Sequence, residues 1–235
     1  MNKVGSVLVI GAGIAGIQAS LDLAEAGFKV YLVERTSSIG GRMAQLDKTF
    51  PTGDCAMCTI APKMVEAGRN PNIVKLTLSE VVSVKGDAGN FEVTVKRHPR
   101  YVLEDRCNGC SLCAEVCPVK VPNEFDQSVG TRKAIYVPFP QAMPLIYAID
   151  TEHCTQCGLC KIVCGLNAIE YEDAPKEMKL NVGAIVVSTG YELFNPAALE
   201  EYGYRRYKNV MTNLEFERLL SASGPTAGHV IRPSG

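Results

Sequence analysis

The sequence predicts an α/β protein: a parallel, helix-covered sheet interrupted by a separate cysteine-rich module. Three observations predict it. Val7-Leu8-Val9-Ile10 is an apolar run that leads into Gly11-x-Gly13-x-x-Gly16 and then into apolar residues at helical spacing. Two cysteine runs of identical spacing lie between Cys107 and Cys164. After them Ala184-Ile185-Val186-Val187 resumes the apolar pattern of a sheet strand.

Taken in order, Val7 to Ile10 reads as a strand buried on both faces, and Ala15 to Glu25 as a helix with Gly27 as its C-cap. Val30 to Val33 is a second buried strand. Residues 36–71 are irregular at first and then helical around Ala61 to Ala67. From Ile73 to Lys96 the pattern is β. Val82-Ser83-Val84 alternates, Gly86 to Asn90 is turn chemistry, and Phe91 to Val95 alternates again. Between the cysteine runs, segment 118–153 carries Pro122, Pro138, Pro140 and Pro144 and is expected to form an elaborated loop over the module. Gly183 to Gly190 returns to a buried strand, and an amphipathic stretch follows around Leu214 to Leu220. The expected division is 1–100 for the nucleotide-binding segment with a small β-meander, 101–171 for the inserted module, and 172–235 for the return strand and tail.

Composition narrows the function classes. The 235 residues suffice for one large domain or two modest ones, and a formal net charge of −1 steers the chain towards neither nucleic acid nor an anionic membrane. No stretch approaches the roughly 18 consecutive apolar residues of a membrane span, and the N-terminal apolar run leads into glycines rather than a cleavage site. A cytoplasmic, reducing compartment is expected. His98, His153 and His229 share no spacing, and Arg205-Arg206-Tyr207-Lys208 reads as a solvated face.

Eight of the ten cysteines form the chemistry-bearing repeat: Cys107-x2-Cys110-x2-Cys113-x3-Cys117-Pro118, then Cys154-x2-Cys157-x2-Cys160-x3-Cys164. Three thiolates at this spacing wrap one face of an iron–sulfur cubane, and the fourth comes from elsewhere. In two-cluster bacterial ferredoxins the fourth cysteine of each run ligates the other cluster. Cys107, Cys110, Cys113 and Cys164 are therefore assigned to one [4Fe–4S] cluster, and Cys117, Cys154, Cys157 and Cys160 to the second. Zinc sites, built from two separated pairs, and disulfides explain neither the two runs nor Pro118. Gly165 stands where the second run would ordinarily carry proline. That loosens a turn but removes no ligand.

Gly11-x-Gly13-x-x-Gly16 follows a strand and opens a helix, and Glu34 ends the next strand. The glycines permit a tight turn, approach to a pyrophosphate and close helix packing, while Glu34 would accept hydrogen bonds from a ribose. Glycine-rich turns also arise for packing alone, but strand, helix and acid together favour a Rossmann-like dinucleotide site. Ser37-Ser38-Ile39-Gly40-Gly41-Arg42 then resembles the E-x5-GGR signature of glutathione reductase and thioredoxin reductase flavoproteins, and Ser188-Thr189-Gly190 resembles their A-T-G strand end. Both favour FAD over NAD. The candidate FAD residues are Gly11, Gly13, Gly16, Glu34, Arg35, Gly40, Gly41, Arg42, Val82, Thr189 and Gly190.

Cys55 and Cys58 lie just after the glycine pair. Three readings stay open: ligands of a further cluster completed by cysteines beyond this chain, a flavin-coupled dithiol, or small apolar packing residues.

These segments, with Val121-Pro-Asn-Glu-Phe-Asp126 and the stretch from Gly130 to Ala142, resemble the iron–sulfur and flavin A-subunit family of heterodisulfide reductase. They are also similar to flavoprotein subunits of quinone-interacting complexes of sulfate reducers. The resemblance runs over essentially the whole chain. It implies FAD flanked by [4Fe–4S] clusters, an oxidoreductase complex acting on sulfur groups, and an electron donor of the hydrogenase, formate dehydrogenase or ferredoxin type. In some members it implies flavin-based bifurcation, with the disulfide itself reduced on another subunit. The family's flavin fold continues beyond its serine-threonine-glycine strand, so the chain resembles an N-terminal part of it. The leading expectation is an electron-transfer subunit passing electrons between FAD and the clusters, with no catalytic acid or base nominated. The alternative is a flavin-free electron-carrier or docking module, or a truncated fragment of the full subunit.

Overall fold

The computed structural model describes residues 4–234. Its first half follows a strand–helix–strand order: β1 (Ser6–Ile10), α1 (Ile14–Glu25), β2 (Lys29–Val33), α2 (Ala56–Arg69) and β3 (Ile73–Leu76). A hairpin follows, β4 (Ser79–Asp87) and β5 (Asn90–Arg97). Beyond the cysteine-rich segment come β6 (Lys176–Val182) and β7 (Ala184–Val187). The four strands β7-β1-β2-β3 form a parallel sheet in that order, and β6-β5-β4 form an antiparallel one.

The apolar runs of β1 and β2 are continuous because both faces are covered. Val7, Val9, Val30 and Leu32 pack with Ile17 and Leu21 of α1 and with Ile60 and Met64 of α2. Leu8 and Val33, one residue out of phase, face the antiparallel sheet through Val93, Val95 and Val182. A fully buried leucine such as Leu8 contributes roughly 1.5–3 kcal/mol relative to an exposed one. Helix α1 stops at Gly27, whose φ is +86°. Its N–H bonds to the Ala24 carbonyl, and that of Phe28 to the Leu23 carbonyl. That pair closes the helix end with a Schellman motif.

Four expectations need amendment. Helix α2 is longer than the Ala61–Ala67 stretch; it starts immediately after Cys55, with Ala56, Ile60, Met64 and Ala67 on its buried face, and runs through Pro62. Strand β7 is an edge strand, not a buried one. It pairs with β1 alone, and Val187 is 69% exposed. Segment 118–153 does not merely cover the module: Phe125, Phe139, Ala142 and Met143 enter the core beneath α1 and α2. Proline-rich composition signalled irregular backbone but not where its aromatics would be buried. Strand β6 was not anticipated, although Met178, Leu180 and Val182 alternate with polar residues, a period-two signal.

The cysteine-rich segment has its own core of Val102, Ile135, Tyr147, Ile149, Ala168 and Ile169, together with Cys113 and Cys160. Two short helices, α3 (Leu112–Glu115) and α4 (Leu159–Val163), carry the third cysteine of each run. The final helix, α5 (Asn213–Leu220), has a capping box between Thr212 and Glu215. Its Arg218, fully buried, donates from Nε to Asp126 and from Nη1 to the Gln45 carbonyl, each at 2.9 Å. Among the described residues no helix is long and apolar enough to cross a membrane.

Candidate dinucleotide site and cluster ligands

Three segments far apart in sequence meet at the C-terminal ends of β1 and β2. The turn after β1 holds Gly11 and Gly13, and α1 begins beyond it with no side-chain cap on its first N–H groups. A Cβ at Gly16 would lie 1.9 Å from the Gly11 carbonyl oxygen, so the helix packs on the turn only with glycine there. Gly41, at φ +57°, approaches within the same limit: its Cβ would lie 2.7 Å from the Gly13 Cα. The Gly40 N–H donates to the Ala12 carbonyl at 2.8 Å, joining the second turn to the first. From the third segment, Ser188 Oγ bonds to the carbonyls of Ile10 at 3.0 Å and Gly11 at 2.9 Å.

Glu34 closes this arrangement. One carboxylate oxygen accepts the Ala12 N–H and the other the Thr36 N–H, each at 2.9 Å. The Thr36 hydroxyl also lies 2.9 Å from the second oxygen; a carboxylate offers about four acceptor directions, so capacity for one ribose hydroxyl is left. Arg42 is half-buried and donates to Gln45 Oε1 at 3.0 Å. Arg35, Thr189 and Gly190 are exposed. Val82 lies where the β4–β5 register shifts, between Val81 and Ser83, and its side chain is exposed. The residues present fit a dinucleotide: uncapped helix N–H groups, two glycine turns without Cβ atoms and an acidic acceptor converge on one strand end.

None of the eight module cysteines is in a disulfide. Cys113 and Cys160 are buried, Cys110 and Cys157 exposed, and the others half-buried. One cavity is lined by Cys117, Cys154, Cys157 and Cys160, so a cysteine of the first run stands with three of the second. Tyr171 borders it, with its hydroxyl 3.1 Å from Cys160 Sγ; burial and this contact raise the phenol's pKa. Around the first run Tyr147 takes the equivalent place. Burial, then Cys113, Cys107 and Cys110, push its phenol up to about 12. Burial, with Cys107, Cys110 and Cys160 nearby, pushes the Cys113 thiol up to about 12. Such a thiol becomes a ligand only when a cationic centre offsets its charge.

The spacing also speaks against zinc. Among the described residues no three cysteine sulfurs lie within 4.8 Å of one another. A single zinc at about 2.3 Å from each sulfur would draw them to roughly 4 Å apart. A cubane, with iron at four corners, holds them farther apart, so the donor set fits clusters.

Cys55 and Cys58 form a disulfide across the first turn of α2, and the Cys58 N–H also points at Cys55 Sγ, 3.1 Å away. The disulfide is compatible with a flavin-coupled dithiol, and a further cluster would require the reduced pair. The other eight cysteines all lie in the module. Sequence reasoning missed Gln45, Arg100, Tyr147, Tyr171 and Arg218. The tyrosines sit close to cysteine runs, a weak signal; nothing in spacing marks the arginines or Gln45.

Comparison with known proteins agrees with both halves. Residues 6–59 match the FAD dependent oxidoreductase family, and residues 100–123 and 147–170 match the 4Fe-4S binding domain. The chain is therefore an FAD-type α/β segment with two [4Fe–4S] motifs. It is 59% identical over 229 residues to the iron–sulfur A-subunit of CoB–CoM heterodisulfide reductase from Methanocaldococcus jannaschii, covering 97% of this chain and 35% of that one. It is 63% identical over 231 residues to A-subunit 1 of the same enzyme from Methanopyrus kandleri, covering 97% and 34%. With the A-subunit of the Methanosarcina mazei ferredoxin:CoB-CoM heterodisulfide reductase it shares 50% over 230 residues, covering 97% and 29%. The chain spans about a third of the length of these curated relatives. Over that third, it is similar to the A-subunits of CoB–CoM heterodisulfide reductase.

Proposed function

We propose that this chain is part of an electron-transfer subunit that passes electrons between FAD and two [4Fe–4S] clusters, as in the A-subunit of heterodisulfide reductase. The observation that carries the reading is the meeting of residues 11–16, 40–42 and 188–190 at one strand end, in a fold that also holds the eight-thiol module. When bound, FAD would supply two-electron chemistry and each cluster one-electron chemistry.

The chain's own residues bind and orient. Gly11, Gly13 and Gly16 let the backbone and the start of α1 face the pyrophosphate, with Gly40, Gly41 and Arg42 on its other side. Glu34 takes the ribose, flanked by Arg35; Val82, Thr189 and Gly190 complete the set. Cys107, Cys110, Cys113 and Cys164 hold one cluster, and Cys117, Cys154, Cys157 and Cys160 the other. Residues 101–171 act as an inserted module. Tyr171 donates to a ligand sulfur, a contact that raises cluster potential.

The relatives' names point to the wider reaction. They specify a CoB-CoM heterodisulfide with hydrogen, formate or ferredoxin as the second reactant. We place this chain in such a complex, with other subunits supplying the disulfide-reducing site and the electron donor, in a reducing cytoplasm. A second reading, a flavin-free electron carrier, is favoured by one observation: β7, which leads to Thr189 and Gly190, is an exposed edge.

Anaerobic iron and flavin quantification of the reconstituted chain tests both. About eight irons with one FAD is the expected result. Eight irons without flavin uptake support the second reading and overturn the first. More than eight would place a further cluster at Cys55 and Cys58.

A further inference from the structure

The dinucleotide segment and the cluster module meet at a joint built from residues that neither motif contains. One side of the joint is backbone. The Ile39 N–H donates to the Met143 carbonyl, and the Met143 N–H donates to Ser38 Oγ, both at 2.8 Å. Ile39 directly precedes Gly40, which is bonded to Ala12 in the first glycine turn. Two residues beyond Met143, Leu145 lies on Gly109, where a Cβ would come within 2.8 Å of the Leu145 carbonyl oxygen. Next but one is Tyr147, which packs in one core with Cys113 and Cys107. Residues 143–147 thus run from the glycine pair to the first cysteine run. The cavity of Cys117, Cys154, Cys157 and Cys160 is walled instead by Ile135, Ile149 and Tyr171.

The other side of the joint is Arg100, whose side chain is fully buried. Its Nη2 donates to the Ser37 carbonyl at 3.0 Å and to Thr77 Oγ1 at 2.6 Å, both on the dinucleotide segment. Its Nη1 donates to the Ile146 carbonyl at 3.2 Å, on the strand of chain beside the first cysteine run. Nε faces Glu104 at 3.2 Å. A guanidinium is a rigid fork, and a buried one that bonds to both bodies fixes their separation more tightly than apolar packing does. The same residue anchors the start of the module, its N–H donating to Asp173 Oδ2 and its carbonyl accepting from the Ile149 N–H.

We propose that Arg100 is a positioning residue that locks the Cys107–Cys110–Cys113 site against the dinucleotide loop, making that cluster the flavin-proximal one. The inference rests on the FAD and cluster assignments above. Electron tunnelling falls steeply with separation, so slack of an ångström at this joint slows transfer without removing either cofactor.

Hydrogen exchange resolved at single amides, on the full chain with its clusters, tests the joint without reference to flavin. In Arg100→Met the amides of Ile39 and Met143 should exchange at least tenfold faster, with those of Val9 and Leu32 unchanged and iron content intact. Thr77→Val, which removes one acceptor, should raise the same two amides by about threefold. No change at those amides, or an equal rise throughout the sheet, overturns the role of Arg100. With FAD bound, the flavin fluorescence lifetime, shortened by a neighbouring cluster, should lengthen in Cys110→Ala and stay short in Cys157→Ala. The opposite order overturns the assignment of the proximal cluster. A chain that takes up no FAD at all overturns the function proposed above, whereas exchange unchanged in an FAD-bound Arg100→Met chain overturns only this inference.

Discussion

The cluster module and the dinucleotide site are assembled by opposite rules. In the module, three of every four thiols come from one loop of seven residues, and chemistry resides in side chains whose type and spacing are fixed by the cubane. At the dinucleotide site the working groups are mostly backbone N–H and absent Cβ atoms, and the bonded segments are up to 178 residues apart. Local side-chain sites tolerate change in the surrounding fold; backbone sites depend on the sheet that brings their turns together. The consequence is a difference in how each should fail.

The largest effects should come from the thiols. Cys157→Ala should cost one whole cluster, about four of eight irons, because a cubane with three protein thiolates is readily lost. Crossed ligation makes a sharper demand. Cys117→Ala added to Cys157→Ala should cost no further iron, whereas Cys117→Ala with Cys110→Ala should remove both clusters. Anaerobic iron analysis of the two double variants decides it, and the reverse ranking would show that each run serves its own cluster. In all of them FAD uptake should persist, since none of these thiols touches the glycine turns.

Gly41→Ala probes the other rule. The alanine would carry a positive φ at about 1–2 kcal/mol, and its Cβ would press on Gly13 at 2.7 Å. FAD affinity should fall at least tenfold by fluorescence titration, each tenfold being about 1.4 kcal/mol, while iron stays at the wild-type level. Simultaneous loss of iron would mean that the two regions are less independent than their construction implies.

Legibility in the sequence follows the same division. The eight thiols, the glycine turn after β1 and Glu34 were visible because each is marked by residue type at short spacing. The joint between regions was not. Arg100 and Met143 act through partners at separations of 23 to 105 residues, and no periodicity announces such a contact. Strand β7 misled for a related reason: an apolar run reports that a strand can be buried, not that a neighbour covers it. The Cys55–Cys58 spacing suited three chemistries, and the sequence did not show that the two sulfurs lie within bonding distance at the start of α2.

A smaller effect separates the two clusters from each other. The Tyr171 hydroxyl lies 3.1 Å from Cys160 Sγ and would donate to it as a ligand thiolate, but for Tyr147 only packing against the first run is evident. Hydrogen bonds to ligand sulfur stabilise the reduced, more negative cluster. Tyr171→Phe should therefore lower one cluster potential by about 40 mV, the equivalent of about 1 kcal/mol for one electron, and leave the other in place. Redox titration followed by electron paramagnetic resonance resolves the two. A shift of both together would make the effect one of general exposure rather than of this bond.

The smallest effect tests how far the dinucleotide site extends. Helix α5 touches that site and, through Asp126, the loop between the cysteine runs, but no cluster cysteine run: the Asp47 N–H donates to Glu217, and Arg218 holds the Gln45 carbonyl, whose side chain in turn receives Arg42. The helix begins at Thr212, which caps the Glu215 N–H and receives the Glu215 carboxylate on its own N–H. Thr212→Ala removes half of that box at a cost of about 1 kcal/mol. If α5 supports Arg42, the cost should appear as a few-fold weaker FAD affinity, measured as for Gly41→Ala, together with a slightly lower unfolding midpoint. Iron content and both cluster potentials should not move. Unchanged affinity alongside the lowered midpoint would restrict the site to its three glycine-bearing segments and leave α5 as packing alone.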